Sequence, residues 1–260
     1  MGMVERIGEL TIARMNGVAY GLGYTVEVFR QIPRFLMRRR TGTRVLTMQM
    51  LFTGVEALSV IAVISLGIGT VIVIQGLSLL PQFGQGQLIY SILIIVITRE
   101  LGPILTALIV TARSGTAIAT DLGTMVVNHE IEAYSVTGIN PIQHIVVPRL
   151  IGVTVSTFVL NLYFNVFGLM GSFVVTQFVS PIALDVYANG LLAALSMTDV
   201  AASMVKSLVF GAIAALVATF YGLQVERATT EIPVAAIRSV GRGITLLIVA
   251  NAVITLAYYL

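Results

Sequence analysis

Arg99 and Glu100 are neighbouring ionisable residues set between two apolar runs, Leu88 to Thr98 and Leu101 to Ala112, which together have the length of one membrane crossing. An ionised side chain at mid-bilayer costs about 2.5–3.5 kcal/mol on insertion scales, so such residues turn to a bundle interior or a polar cavity. The alternative is an internal salt bridge that only holds helices together; intramembrane charges mark sites more often than struts, which favours the first reading. Lys206, the one lysine of the chain, and Asn251 also fall within apolar stretches. Pro103 removes a backbone donor and disfavours the helical conformation at Gly102, so a carbonyl near Arg99 loses its partner and a kink is expected beside the charge pair.

Other chemistry is poorly supplied. Val205 precedes Lys206 and Ser207 where a phosphate-binding loop demands glycine, so the chain carries no ATPase of that kind. Arg113, Ser114 and Gly115 superficially resemble a serine elbow, but Ala112 replaces its first glycine and neither histidine lies in a span. His129 and His144 have no third ligand nearby, and the chain has no cysteine, so neither a metal site nor a disulfide framework is expected. No catalytic residue is assigned.

The elements that must position these residues are membrane helices. Of 260 residues, 57% are hydrophobic and 10% charged, against about a quarter charged in soluble domains. The apolar segments are long and unbroken, which argues for helices rather than barrel strands. Residues 1–44 are too charged for a signal peptide; Val18, Leu22, Val26, Phe29, Ile32 and Leu36 recur at helical spacing, with Glu27, Arg30, Arg34 and Arg38 on another face. With Arg39, Arg40 and Arg44 beyond it, this segment suits a helix in the headgroup layer rather than one packed on protein.

Five spans are expected, at about residues 51–80, 88–112, 145–178, 200–222 and 243–260, the whole forming one domain over 1–260. Gly67, Gly69 and Gly76 would admit a neighbouring backbone to span one, and Gly115, Ala119 and Gly123 form a ridge of small residues after span two. A turn is expected over Pro81 to Gln87. Residues 121–144 are polar enough to leave the bilayer. There Val127, Ile131 and Tyr134 share a helical face, His129, Glu130 and Glu132 lie elsewhere, Gly138 is a stop, and Asn140 with Pro141 starts the next helix. A short acidic helix of this kind is equally the signature of a docking surface or of a solvated loop. Ser180 to Asp199 reads as an amphipathic connection.

Residues 1–50 hold eight arginines; Arg113 and Arg149 flank the central loop, and Arg227, Arg238 and Arg242 lie in the last connection. The positive-inside rule then puts the amino terminus and the 121–144 region in the cytoplasm and the carboxyl terminus outside. No internal repeat is visible, and an odd number of spans does not divide into inverted halves.

The segments RELGP at 99–103, ALIVTARSGTAIATDLGTM at 107–125 and GINPIQHIVVPR at 138–149 resemble the MlaE permease family, and the similarity continues through Gln49, Gln75, Lys206 and RSVGRGIT at 238–245. The resemblance implies an all-α integral membrane protein of the bacterial inner membrane: an interfacial amino-terminal helix, five spans and a short cytoplasmic coupling helix between spans two and three. It further implies a homodimeric permease of an ABC system moving phospholipids between inner and outer membranes, with ATP and magnesium held by a separate ATPase. An MCE-domain protein would cap the periplasmic face, and in some systems a STAS-domain protein binds the ATPase; nothing points to nucleic acid. Carried over by position, the lipid cavity would take Arg99, Glu100, Lys206, Asn251 and Gln75, and the ATPase would dock on His129, Glu130, Glu132 and Tyr134.

Three departures stand out. His129 and Glu130 replace the Glu-Gln common in the docking helix, Asn251 stands where many members have aspartate, and TTEIPVAAI at 229–237 alters a glycine-rich run. The second leaves Arg99, Glu100 and Lys206 with a formal sum of +1, an excess that would favour an anionic headgroup or be relieved by lysine deprotonation. The rival classes are a scaffold subunit anchoring an MCE-like protein, marked by a dimer without a lipid-sized cavity, and an ion-coupled secondary transporter, which the missing repeat opposes. Transport requires that Arg99 and Glu100 border a space able to admit an acyl chain.

Overall fold

The computed structural model describes residues 3–37, 42–79, 88–179, 181–226 and 228–259. The expected turn over Pro81 to Gln87 and the residues Arg38, Arg39, Arg40 and Arg227 lie outside them. Helix α1 is Met3–Met37. Five helices are long and apolar enough to cross a membrane: α2 (Thr43–Leu79), α3 (Leu88–Val127), α5 (Ile142–Val179), α7 (Met197–Leu223) and α8 (Glu231–Tyr258). Two short helices, α4 (Glu130–Val136) and α6 (Leu184–Ala194), sit in the connections after α3 and α5. There is no strand among the described residues.

The spans number five, as expected, but the helices outrun the apolar runs. Residues 43 and 44, assigned above to the interfacial helix, and 45–50, assigned to no element, begin α2; α3 continues through 113–127; α8 starts at Glu231 rather than Gly243. The physical reason is common to all three: a helix ends where its backbone loses partners, not where its side chains turn polar. At about 1.5 Å per residue, the 40 residues of α3 reach roughly 60 Å, twice the hydrocarbon thickness, so the helix projects well beyond it.

Helix α5 is the most enclosed of the five and packs on α2, α3 and α7, while α8, the least enclosed, packs on α3 and α7. Without a hydrophobic drive between helices in lipid, close backbone approach supplies the packing. It is greatest between α2 and α5, where a Cβ at Gly69 would overlap the Gly168 carbonyl and one at Gly171 would meet Leu66. Gly67 faces open space instead. The small ridge on α3 works similarly: Ala119 is fully buried, and Gly123 faces Val225 and Ile232.

The apolar positions that mark α1 as amphipathic are not its protein-facing side. Leu22, Val26, Phe29 and Leu36 are exposed, whereas Val28, Gln31 and Phe35 are buried. Tyr24 anchors that inner side, its hydroxyl donating to Thr219 Oγ1 at 2.9 Å and its ring lying 5.4 Å from Phe220. Burial pushes the Tyr24 phenol far above its usual range, so it remains a neutral donor.

Candidate functional site

The expected kink at Gly102 and Pro103 takes the form of widened turns. Residues Ile94–Leu101 are π-helical, and the Gly102 N–H reaches back to the Ile97 carbonyl. Pro103 cannot supply the N–H that an α-helix would give the Arg99 carbonyl, and Lys206 Nζ, from α7, donates to that carbonyl at 3.3 Å. A π turn and a foreign ammonium thus absorb the defect, as is usual where a helix carries a site. Gly102 is required by what lies opposite: a Cβ there would crowd Asn161 Oδ1 and Asn165 Oδ1 of α5 as well as the Ile97 carbonyl.

Around this turn a charged cluster joins three spans. Lys206, 1% exposed, holds Glu100 Oε2 at 2.7 Å and Thr255 Oγ1 of α8 at 2.8 Å. Arg99, also buried, lies 3.3 Å from Asp199 Oδ1 and 3.6 Å from Glu100 Oε1, and its guanidinium stands 4.7 Å from the centroid of the Tyr258 ring. Each cation has an anionic partner, which is the condition under which charges persist in a low-dielectric interior.

Asp199 is the residue that sequence reasoning missed. The +1 sum for Arg99, Glu100 and Lys206 omits it; adding Asp199 gives two cations and two anions, and lysine deprotonation is not needed for balance. It does not belong to the connection after span three but to the first turn of α7, where it also caps the helix. Ser196 Oγ accepts from the Asp199 N–H at 3.1 Å, and the Ser196 N–H and hydroxyl donate to Asp199 Oδ2. One carboxylate oxygen therefore closes a capping box and the other meets Arg99. The readable signal was Ser-x-x-Asp immediately before an apolar run.

The remaining candidates divide. Asn251 lies on α8 one turn before Thr255, and its Oδ1 is buried with no hydrogen bond among the described residues. Gln75 is exposed on α2 and shares no hydrogen bond or ion pair with the cluster among the described residues. Arg99 is sealed among side chains, whereas the Glu100 side chain keeps 28% of its surface. Glu100 is thus the member of the pair that borders open space.

The acidic region forms the expected short helix. His129 precedes α4 with a φ of 59°, turning the chain sharply out of α3, and its Nδ1 lies 3.0 Å from Glu132 Oε2. Gly138, at φ 77°, stops it: the Gly138 and Ile139 N–H groups bond back to Ser135 and Tyr134 carbonyls in a Schellman motif. Asn140 Oδ1 then accepts from the Ile142 N–H at 2.9 Å, starting α5. His129, Glu130 and Glu132 are exposed; Tyr134 is half-buried, its ring 5.4 Å from that of His144.

Residues 46–257 match the family described as Permease MlaE. Among similar proteins are a probable ABC transporter permease of Rickettsia typhi, 29% identical with 80% of each chain covered, and one of Synechocystis, 30% identical with 76% of this chain and 74% of the relative covered. The intermembrane phospholipid transport system permease protein MlaE of Haemophilus influenzae is 29% identical over 48% of each chain.

Proposed function

The chain belongs to the MlaE permease family, and from that premise we propose that it carries phospholipid between the inner and outer membranes of a bacterium as one of two identical permease subunits driven by a separate ATPase. The observation that carries this reading is the neutral cluster of Arg99, Glu100, Asp199 and Lys206, with Glu100 its open edge. A headgroup would exchange with the Glu100–Lys206 contact while acyl chains lie on apolar helix surface. Leu246, Val249, Val253 and Leu256 form an exposed apolar row on another face of α8 from Thr255, surface that lipid or a second copy would cover. The name of the Haemophilus relative supports phospholipid as cargo.

ATP and magnesium would be held by the partner ATPase, docked on α4 at Glu130, Glu132 and the flanking His129. Displacement of α4 would travel along α3 to the π turn before Pro103 and shift the cluster. The amino terminus and α4 would be cytoplasmic and the carboxyl terminus periplasmic, where an MCE-domain protein would cap the dimer; a STAS-domain protein would join through the ATPase.

The experiment is lipid transfer by the reconstituted complex. Glu100→Gln keeps the size of the side chain but removes its charge and turns one acceptor into a donor; it should slow transfer at least about tenfold, the effect of losing about 1.4 kcal/mol of differential stabilisation, with copurification of the complex as the control for folding. Transfer at the normal rate would remove Glu100 from the mechanism. Arg99→Ala is the weaker probe, because it also strips Asp199 of its buried partner.

A further inference from the structure

A recess bordered by charged residues lies at the opposite end of span two from the connection before Leu88, away from the central cluster. It is a cavity of about 480 Å3 lined by Arg44, Val45, Met48, Gln49 and Phe52 of α2, Ala117, Ile118 and Asp121 of α3, and Arg149 of α5. Arg44 and Asp121 stand at its exposed mouth, and Gln49, Ile118 and Arg149 form its buried wall. Arg149 is 8% exposed and ion-pairs Asp121 through Nη2, while its Nη1 is buried with no hydrogen-bond partner among the described residues. A buried guanidinium donor without an acceptor is costly, and here it belongs to a residue that lines a cavity.

We propose that this recess binds the phosphate of an anionic phospholipid lying in the leaflet beside it, a lipid resident between spans one, two and three and separate from any cargo at Glu100. Arg44, Arg149 and Asp121 sum to +1, the complement of one phosphodiester. Guanidinium donors are suited to phosphate by geometry as well as by charge. Gln49 is held in place for the same wall: its Nε2 donates to Thr53 Oγ1 at 2.8 Å, and its stem lies against Gly152. The exposed Met48 and Phe52 give apolar surface next to the charged mouth, which an acyl chain can cover and a free phosphate cannot. Position fits as well: Arg44 begins α2, Asp121 is near the end of α3 and Arg149 near the start of α5, so all three stand together at one end of the bundle.

The test uses the full chain in phosphatidylcholine nanodiscs containing a photoreactive phosphatidylglycerol, with labelled peptides identified by mass spectrometry. Labelling should concentrate on 44–52 and 117–121, and unlabelled phosphatidylglycerol should compete while millimolar inorganic phosphate does not. Arg149→Gln and Arg44→Gln should each raise the half-saturating lipid concentration about tenfold, the effect of one charge-assisted contact, and Arg149→Lys should restore part of it. Because Arg44 is exposed, its variant reads binding even if Arg149→Gln impairs folding. Uniform labelling, or labelling unchanged in Arg44→Gln, overturns the proposal; displacement by inorganic phosphate would assign the recess to a free anion instead. Labelling is read without transport, so this site and the cargo reading fail separately.

Discussion

At the scale of residues, the protein handles its buried charge by division of labour within one carboxylate. Asp199 caps α7 with Oδ2 and holds Arg99 with Oδ1, so substitutions that separate the two roles should differ in size. Asp199→Asn leaves a capping side chain but takes from the buried Arg99 the nearer of its two carboxylate partners, Glu100 remaining 3.6 Å away, and should cost about 1.5–3 kcal/mol. Ser196→Ala removes only the cap and should cost about 1 kcal/mol. Replacing both charges, as Arg99→Met with Asp199→Leu, should recover most of the loss, since a buried pair is commonly no better than well-packed apolar residues. Thermal unfolding of the solubilised protein checks the ranking; equal losses for Asp199→Asn and Ser196→Ala would mean that the ion pair contributes nothing to stability. The Arg99–Glu100 anomaly was legible in the sequence because two charges interrupt an apolar run. Its counterion was not, because residues a hundred positions apart in the chain meet only through the packing of α3 on α7.

Among the elements, the α2–α5 contact is the tightest backbone approach described, and it depends on glycine for room rather than for unusual dihedrals. Gly69→Leu should therefore be destabilising by about 1–3 kcal/mol through overpacking, and Gly67→Leu, which meets open space, should be near neutral. A lowered midpoint of thermal unfolding in the first variant alone checks this; equal midpoints would show that the helices slide apart at little cost. Glycine spacing announced that some close contact exists without saying which glycine makes it, since Gly67 and Gly69 are alike in sequence and differ only in the face they occupy. Helix ends were legible where a side chain or a special dihedral makes them, as at Gly138 and at Asn140 with Pro141. They were not where helices simply continue, as α3 does past Ala112, because polarity reports solvent and not backbone bonding.

For the molecule as a whole, span two is the hub. It pairs with α2 through Arg113 and Glu56, with α5 through Asp121 and Arg149, and with α7 through Arg99, Glu100, Asp199 and Lys206. The same helix leads into α4, so the proposed docking surface and the charged cluster are joined by one continuous helix and a single turn at His129. Val136, 87% exposed at the end of α4, is placed to meet the proposed ATPase. Val136→Asp should reduce its copurification at least about tenfold, as burial of an unpaired charge in an interface would, while lipid labelling at the Arg44 recess stays as before. Unchanged copurification would move the docking surface elsewhere.

The equality of cations and anions around Pro103 has an electrical meaning. A resting potential does about 2.3 kcal/mol of work per elementary charge carried through 100 mV, but on two positive and two negative side chains displaced together the pulls cancel. The membrane's standing voltage therefore does no net work on them for as long as they move as one unit.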